Sequence, residues 1–328
     1  MKRFLSLLLV ALMLLSIVAC GNTDEPKVEA PEDDKQEVNE TGEVYKVGIL
    51  APAVTHGWVA AVAYHAEAEA KAQSDAIEYK IYTSNDAAEM TSQLDDLMTW
   101  GAQAIVAFPQ WEGMEVPIKE VVDQGVVVVN FDIEIDVDGV YRVTGDNEEM
   151  GVRGAEYIVD KIGTEGKVVI LDVPTSGSVG RLRKQGFLDT LAKIAPDIET
   201  VEYATQFTRE DGLKDMADIL VSNDHIDAVF SMDDETSIGA LQAIAEANRT
   251  DIKAITGGGG SQEYFNMMPD NEDIWISSAL YSPAMVKDAV KAAVAILKGE
   301  SVDEVKVIPT NIVDRDNYKD YLDANSPY

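Results

Sequence analysis

Cysteine is almost absent from this 328-residue chain, which has a single one and only three histidines. One cysteine excludes an internal disulfide framework and any zinc or iron site built from several cysteines. Basic residues are also scarce, because 26 Lys and Arg stand against 59 Asp and Glu, for a formal net charge of −33. A chain with that charge repels phosphate backbones. We therefore expect no nucleic-acid partner.

The chain begins with an apolar run, Phe4 to Ala19, that follows Lys2 and Arg3. The run is short for a membrane span of about 20 residues and has the layout of a secretory signal. It ends in Ser-Ile-Val-Ala before Cys20, which resembles a bacterial lipobox, in which the cysteine receives a diacylglycerol and the preceding peptide is removed. An ordinary signal with a coincidental cysteine is the alternative. We predict a lipoprotein signal over residues 1–20 and a lipid anchor on Cys20.

Residues 21–43 contain few apolar side chains and are rich in Asp, Glu, Pro, Thr and Asn. Such a composition does not offset the entropy lost on ordering. The segment is predicted to be a disordered acidic linker. As a flexible coil it lets the folded part stand roughly 25 Å from the membrane.

From residue 44 onward, short apolar runs alternate with amphipathic ones in which apolar residues recur every three or four positions. Several runs, such as the four valines 126–129, do not alternate with polar residues, as expected for parallel strands covered on both faces. This alternation predicts an α/β fold with doubly wound parallel sheets. The predicted strands span residues 44–50, 78–82, 104–108, 126–131, 167–171, 228–232, 252–256 and 275–280.

The number of β-α units is too large for one open sheet, so the sequence predicts two lobes. We expect residues 44–145 and 282–310 to form an N-terminal lobe. Residues 146–281 and 311–328 would then form a C-terminal lobe, joined to the first by a hinge. In such sheets ligands lie beyond the carboxyl ends of the strands.

Aromatic and charged side chains follow the predicted strands. Rings suit the C–H faces of a sugar or polyol, and charged groups make the stronger hydrogen bonds to its hydroxyls. The candidate ligand-binding residues are His56, Trp58, Asp132, Arg181, Phe207, Asp233, Gly258 and Tyr281.

This order of motifs resembles the type I periplasmic binding proteins of the ribose, galactose and xylose group, which serve sugar ABC transporters. The matching pieces are Thr55-His56-Gly57-Trp58 after strand one, Asp132 at the end of strand four, Arg181 six residues before Phe187, and Asp233-Asp234-Glu235 after a Val-Phe strand. Phe207 falls where ribose-type members have another ring. The resemblance covers residues 44 to about 313. It implies a two-lobed binding protein in which these side chains contact the ligand.

Three positions depart from the ribose-type pattern. Ile133 stands where those members have an arginine, Gly257 to Gly260 replace a loop with an aspartate, and Tyr281 stands in place of a glutamine. Two charged ribose contacts are therefore missing. We expect a different neutral polyol, an unusual pentose or a small furanose rather than ribose.

Each candidate has a structural alternative. Trp58 can pack in the core, His56 can be an ordinary loop residue, and Arg181 can be a surface arginine. Asp132 ends a buried strand, where a carboxylate needs a ligand hydroxyl or Arg181 as its partner.

Asp234 and Glu235 suit the acidic start of a helix, whereas Asp233 is nearest the strand end. The four glycines lack the spacing of a phosphate-binding loop, so a close backbone approach at Gly258 is favoured.

We expect a lipid-anchored, extracytoplasmic, monomeric binding protein that delivers its ligand to an ABC permease and its ATPase. It is expected to have no enzymatic activity, cofactor or metal. One alternative is a sugar sensor for a chemoreceptor or kinase. Another is a hydrolase that uses Asp132 and Asp233 as a carboxylate pair, although nothing in the sequence divides the acid and base roles between them. A sugar-responsive repressor would need a DNA-binding headpiece where this chain has a signal and a linker.

Overall fold

A computed structural model describes residues 44–53 and 57–328 of the chain. Within these ranges the chain forms two six-stranded sheets with α-helices packed against them. The strands are β1 (Tyr45–Pro52), β2 (Ile77–Ser84), β3 (Ala104–Ala107), β4 (Val127–Phe131), β5 (Tyr141–Gly145), β6 (Glu165–Asp172), β7 (Asp197–Ala204), β8 (Ala228–Ser231), β9 (Ala254–Gly258), β10 (Trp275–Ala279), β11 (Val305–Ile308) and β12 (Ile312–Asp314). The helices are α1 (Gly57–Ala72), α2 (Ala87–Trp100), α3 (Glu115–Asp123), α4 (Asn147–Ile162), α5 (Ser178–Ile194), α6 (Arg209–Ser222), α7 (Asp234–Glu246), α8 (Gln262–Met267) and α9 (Val286–Leu297).

The strand order identifies the architecture. The first sheet runs β11-β5-β4-β3-β1-β2 and the second runs β12-β10-β9-β8-β6-β7. Neighbouring strands are parallel, apart from the antiparallel pair β10 and β12. The predicted fold class, α/β with doubly wound parallel sheets, is therefore confirmed. The carboxyl ends of the strands are where such sheets bind ligands.

Both faces of each sheet are buried, which explains the unbroken apolar runs in the sequence. Along β1, Val47 and Ile49 belong to one hydrophobic cluster, whereas Leu50 belongs to the cluster on the opposite face. Along β6, Val168 and Leu171 are divided between two other clusters in the same way. Because side chains alternate across a strand, burial on both faces requires apolar residues at successive positions.

The chain crosses between the two sheets three times. It leaves the first sheet after Gly145, at the end of β5, and enters α4, which packs against β8, β9 and β10. It returns after β10 into α9, which packs against α1, β3 and β4. A third crossing, over residues 309–311, joins β11 in the first sheet to β12 in the second. The connection between the sheets is thus made by three short segments.

Each of the eight strands predicted from the sequence overlaps an observed strand. The sequence pattern missed four strands, and two of them show why. β7 is an edge strand whose residues, apart from Ile198, are exposed or partly buried, and β11 is a largely exposed edge strand. Edge strands need fewer apolar residues than central ones, so their pattern is weaker. Within the described ranges, no helix is both long enough and apolar enough to span a bilayer.

Two glycines bring helices α4 and α5 unusually close together. A Cβ atom on Gly151 would overlap the backbone carbonyl of Arg183, and one on Gly186 would overlap the carbonyl of Glu148. Only glycine allows a backbone-to-backbone approach of this kind. The close packing fixes α5 against the second sheet, and with α5 the position of Arg183.

Candidate functional site

A cavity of about 430 Å³ lies between the two sheets, at the carboxyl ends of their strands. Its size is within the range of small-molecule sites. The first sheet and its helices contribute Trp58, Val59, Phe108, Gln110, Trp111, Asp132 and Ile133. The remaining wall is made by Val173, Thr175, Ser176, Val179, Arg183, Gln206, Phe207, Thr208, Asp211, Asp233, Gly258, Gly259 and Tyr281. Both halves of the molecule therefore contribute to one site.

Trp58 lies in the first turn of α1 and is 8% exposed. Its indole Nε1 donates a hydrogen bond of 2.7 Å to the carbonyl oxygen of Tyr281. Its ring stacks nearly parallel to Phe131, at 6.2 Å between centroids, and meets Phe108 edge-on at 6.0 Å. Trp58 therefore packs in the core and also lines the cavity, so its core packing does not exclude the predicted ligand contact.

Asp132 directly follows β4 and has a positive φ of 70°, a conformation uncommon for residues other than glycine. Its carboxylate is buried and accepts a hydrogen bond from the Tyr281 hydroxyl. Burial raises the pKa of Asp132, while the Tyr281 hydrogen bond and the nearby charges of Arg183 and Arg142 act in the opposite direction. Backbone conformations of this kind are concentrated at functional sites, where the surroundings stabilise them.

Tyr281 follows β10, at the second crossing, and connects several of these groups. In addition to its bond with Asp132, its hydroxyl lies 3.2 Å from Thr144 Oγ1 and accepts a hydrogen bond from Asn147 Nδ2 at 3.1 Å. Burial, followed by the charge of Asp132, raises the pKa of Tyr281, so the phenol remains protonated and can donate. Tyr281 lines the cavity, as the sequence analysis predicted.

The structure does not bring Arg181 to the cavity. Its side chain is 62% exposed and forms an ion pair of 3.3 Å with Glu134. Arg183 lines the cavity instead and is 5% exposed. Two positions along an α-helix correspond to a rotation of roughly 200°, so these two arginines face nearly opposite sides of α5.

Arg183 is the main site residue that the sequence analysis missed. Its Nε donates to Asn147 Oδ1 at 2.8 Å, and its Nη1 donates to the carbonyl oxygen of Met232 at 2.7 Å. The guanidinium carbon lies 4.6 Å from the centroid of the Tyr281 ring. The signal was present in the sequence, since Arg183 lies four residues from both Val179 and the buried Phe187, on the apolar stripe of α5.

Asp233 follows β8, lines the cavity and also caps α7. Its Oδ1 accepts a hydrogen bond from the backbone N–H of Thr236 at 2.7 Å and another from the Thr236 hydroxyl at 2.6 Å. The two roles considered for this residue are compatible, because the cap uses one carboxylate oxygen. Phe207 lies in the same wall, with the Arg183 guanidinium 5.8 Å from its ring centroid.

Asp234 lies behind the wall and is fully buried. Its Oδ2 accepts hydrogen bonds from the backbone N–H groups of Gly260 and Ser261 and from the Ser278 hydroxyl, at 2.8 to 2.9 Å. The pKa of Asp234 is raised to about 7: burial is the main cause and the neighbouring charge of Asp233 adds to it, while the three hydrogen bonds act in the opposite direction. Asp234 therefore organises the glycine loop and does not line the cavity.

Gly258 presents its backbone to the cavity. A Cβ atom there would lie 2.5 Å from the Met150 methyl group and 3.0 Å from the carbonyl oxygen of Met232. The missing side chain therefore makes room for protein packing, while the backbone forms the wall. His56 and Cys20 lie outside the described residues.

The charges around the cavity are unbalanced. Among the described residues its wall contains three carboxylates, those of Asp132, Asp211 and Asp233, and one guanidinium, that of Arg183. Such a wall opposes an anion and favours hydrogen bonding to a neutral polar molecule. Gln110, Thr175 and Asp211 are polar wall residues that the sequence analysis did not select.

Two linked α/β sheets with a cavity at the carboxyl ends of their strands are the architecture of the type I periplasmic binding proteins. The chain belongs to the periplasmic binding protein domain family, whose model matches residues 47–301. The family resemblance drawn from the sequence is confirmed.

Individual relatives agree with this assignment. Over 243 residues the chain is 30% identical to the xylitol-binding protein of Mycolicibacterium smegmatis, covering 71% of this chain and 67% of that protein. It is 27% identical to the ribose import binding protein RbsB of Bacillus subtilis, over 95% of this chain and 99% of the relative. A similar solved structure is the periplasmic binding protein component of the arabinose ABC transporter from Shewanella sp. ANA-3, bound to α- and β-L-arabinofuranose. It is 26% identical, with a TM-score of 0.76, and the match covers 84% of this chain and 94% of that one.

Proposed function

We propose that this protein captures a small neutral sugar or polyol between two lobes and delivers it to an ABC permease and its ATPase. The observation that carries the proposal is the meeting of Asp132 and Arg183 at Tyr281, in the wall of a cavity to which both sheets contribute. A carboxylate and a guanidinium together offer strong acceptors and donors to adjacent hydroxyl groups. We propose Trp58, Asp132, Arg183, Phe207 and Asp233 as its principal contacts.

The proposed ligand class follows from the wall. Rings from both halves, including Trp58, Trp111 and Phe207, offer apolar surface to the C–H faces of a sugar. The excess of carboxylates disfavours sugar phosphates and sugar acids. The relatives named for xylitol and ribose, and the solved structure with arabinofuranose, support a polyol or a sugar of about five carbons.

We propose that residues 44–145 and 282–310 form one lobe, and residues 146–281 and 311–328 the other. The three crossings after β5, after β10 and over residues 309–311 are then the hinge segments. Hinge closure around a ligand is general in periplasmic binding proteins. The ligand shifts the population toward the closed state by binding it more tightly than the open one.

No chemical step is proposed. The hydrolase alternative would use Asp132 and Asp233 as acid and base. In this site Asp132 accepts from the Tyr281 hydroxyl, and Asp233 uses one oxygen for two bonds to Thr236. These contacts suit two carboxylates that hold a ligand in place. The absence of a chemical step is tested by incubating a sugar with the protein, and we expect the sugar to be recovered quantitatively and unchanged.

We also propose that Cys20 carries a lipid anchor and that residues 21–43 tether a monomeric extracytoplasmic receptor. Two or more acyl chains hold a protein stably on a membrane without spanning it. Cys20→Ser is expected to release the protein from the membrane fraction. Continued attachment of that variant would remove the anchor from the proposal.

The ligand class is tested by calorimetry and thermal-shift measurements against pentoses, hexoses, polyols and inositols. We expect at least one neutral compound to bind with micromolar or better affinity and to raise the melting temperature. Sugar phosphates of the same size serve as matched anionic controls and are expected not to bind. Failure of every neutral compound would overturn the ligand class.

A further inference from the structure

The loop after β4 meets the start of α5 at a contact that joins the first sheet to the second. The backbone N–H of Glu134 donates a hydrogen bond of 3.0 Å to the Ser178 hydroxyl. The Glu134 carboxylate forms an ion pair of 3.3 Å with Arg181, one helical turn further along. Glu134 does not line the cavity, although Asp132 and Ile133 just before it do. The contact therefore lies beside the ligand site, not within it.

Helix α5 lacks the N-terminal stabilisation that neighbouring helices have. Its first turn contains no acidic residue, and its N-cap residue, Gly177, makes no side-chain hydrogen bond. Helices α4, α6 and α7 each begin with a capping side chain and two acidic residues. A carboxylate near the start of a helix is stabilised by the helix dipole. In α5 the Glu134 carboxylate, from the first sheet's side, instead pairs with Arg181 in the first turn of the helix.

Glu134 is also held from its own side. Its Oε1 lies 3.7 Å from a guanidinium nitrogen of Arg142, which belongs to β5 in the first sheet. The carboxylate thus lies between an arginine of each half, one of which is 62% exposed. This arrangement keeps the acidic group directed toward α5.

We propose that Glu134 is an interlobe latch: a positioning residue that holds the closed lobes together through Ser178 and Arg181 and thereby slows release of the ligand. The inference rests on the proposed ligand capture, and it gives Arg181 a role other than ligand contact. Because the latch joins the two halves without touching the ligand, it stabilises the closed arrangement whether or not a ligand is present.

The expected change in the release rate is small, because the ion pair between Glu134 and Arg181 is exposed to solvent. Exposed ion pairs contribute little, and a neutral hydrogen bond contributes modestly. Removing the latch is therefore expected to speed release about three- to tenfold. The association rate should stay within about twofold of the original, since the latch forms only after the lobes have come together.

The first experiment measures release by stopped-flow fluorescence on the full-length protein, with D-ribose, xylitol and L-arabinose as probes. Glu134→Gln, Ser178→Ala and Arg181→Gln are each expected to raise the dissociation rate. Asp136→Asn is the matched control, because it removes an equal charge from an exposed position in the same loop. The double variant Glu134→Gln/Arg181→Gln should be less than additive, since both changes break the same contact. Wild-type release rates in the Glu134 and Ser178 variants would overturn the latch and leave the proposed function standing.

A second experiment needs no ligand. Hydrogen exchange is followed at the Glu134 amide, whose acceptor, the Ser178 hydroxyl, lies across the cleft. Ser178→Ala should speed exchange at this amide about two- to fivefold, and Asp136→Asn should not. If none of the probes binds, that result counts against the proposed ligand class. The exchange rate of the Glu134 amide still tests the latch, because its measurement needs no ligand. An unchanged exchange rate of the Glu134 amide in Ser178→Ala would contradict the latch.

Discussion

The Tyr281 hydroxyl donates a hydrogen bond to the carboxylate of Asp132, a residue 149 positions earlier in the chain. Asp132 directly follows a strand of the first sheet, and Tyr281 follows a strand of the second. The carbonyl oxygen of Tyr281 also accepts from Trp58 Nε1 at 2.7 Å. One tyrosine at a crossing therefore fixes two side chains of the cavity wall. Any movement of that crossing changes the positions of both.

Asp132→Asn tests the role of the carboxylate. The change keeps the shape of the side chain but removes its charge, so it weakens hydrogen bonds to ligand hydroxyls. We expect affinity for the best ligand of the sugar screen to fall about 10- to 100-fold, a loss of roughly 1.4–2.8 kcal/mol. Stability should be unchanged or slightly higher, because burial disfavours the charged form of Asp132.

The measurements are isothermal titration calorimetry and thermal unfolding of the same samples. Asp138→Asn is a suitable control, since Asp138 lies exposed in the same loop as Asp132. An Asp132→Asn protein that binds as tightly as the original would remove this carboxylate from the site.

Tyr281→Phe tests the hydrogen bond between the two residues. The Tyr281 hydroxyl opposes the effect of burial on the pKa of Asp132, so its removal should raise that pKa further. Ligand affinity of the variant is then expected to fall as the pH is lowered, with a midpoint at higher pH than in the original protein. Calorimetric titrations from pH 5 to 8 measure the midpoint. Tyr264→Phe, a buried tyrosine of the second sheet's core, is the control. Identical pH profiles for Tyr281→Phe and the original would contradict the prediction.

Arg183→Lys distinguishes the two arginines of α5. Lysine keeps the charge but cannot reproduce the pair of bonds to Asn147 Oδ1 and the carbonyl oxygen of Met232. We expect at least a tenfold loss of affinity and a fall of about 1–3 kcal/mol in the free energy of unfolding. Arg181→Lys should change affinity less than about threefold, because Arg181 is an exposed partner of Glu134. Titration calorimetry and urea unfolding measure the two effects. A larger loss from Arg181→Lys than from Arg183→Lys would reverse the assignment.

The fold could be predicted from the sequence because a buried parallel sheet leaves a pattern within short stretches of the chain. Strands covered on both faces must be apolar at successive positions, and β4 and β6 show this directly. Asp132 was found for a related reason, since a polar side chain at the end of such a strand is conspicuous. In a doubly wound sheet, residues that follow the carboxyl ends of the strands lie at the edge where ligands bind.

The sequence could not choose between Arg181 and Arg183. Both lie near the start of α5, and the choice depends on which side of the helix faces the cavity. That side is set by the close packing of α4 and α5 at Gly151 and Gly186, which is a property of two helices together. The bond between Tyr281 and Asp132 is equally non-local, since it joins the second crossing to the end of a strand in the first sheet.

The last prediction concerns Asp234 and the pH dependence of stability. Burial raises the pKa of Asp234 in the folded protein to about 7, whereas in the unfolded chain it is close to 4. Between roughly pH 4 and 7 the folded state therefore holds a proton that the unfolded state has lost. The free energy of unfolding should fall as the pH rises through this window and level off above it. The contribution of Asp234 to this fall is about 2–4 kcal/mol.

Asp234→Asn isolates that contribution. The amide oxygen can accept the hydrogen bonds from Gly260, Ser261 and Ser278, so the glycine loop should keep its structure. Urea unfolding is measured at pH 5 and pH 8 for the original protein and the variant. The variant should lose less stability between these two pH values, and it should be the more stable of the two proteins at pH 8. Asp251→Asn is the opposite control, because hydrogen bonding to Arg249 lowers the pKa of Asp251. Removing that carboxylate should reduce stability at both pH values. Parallel pH profiles for the original and Asp234→Asn would show that Asp234 is ionised in the folded state throughout this range.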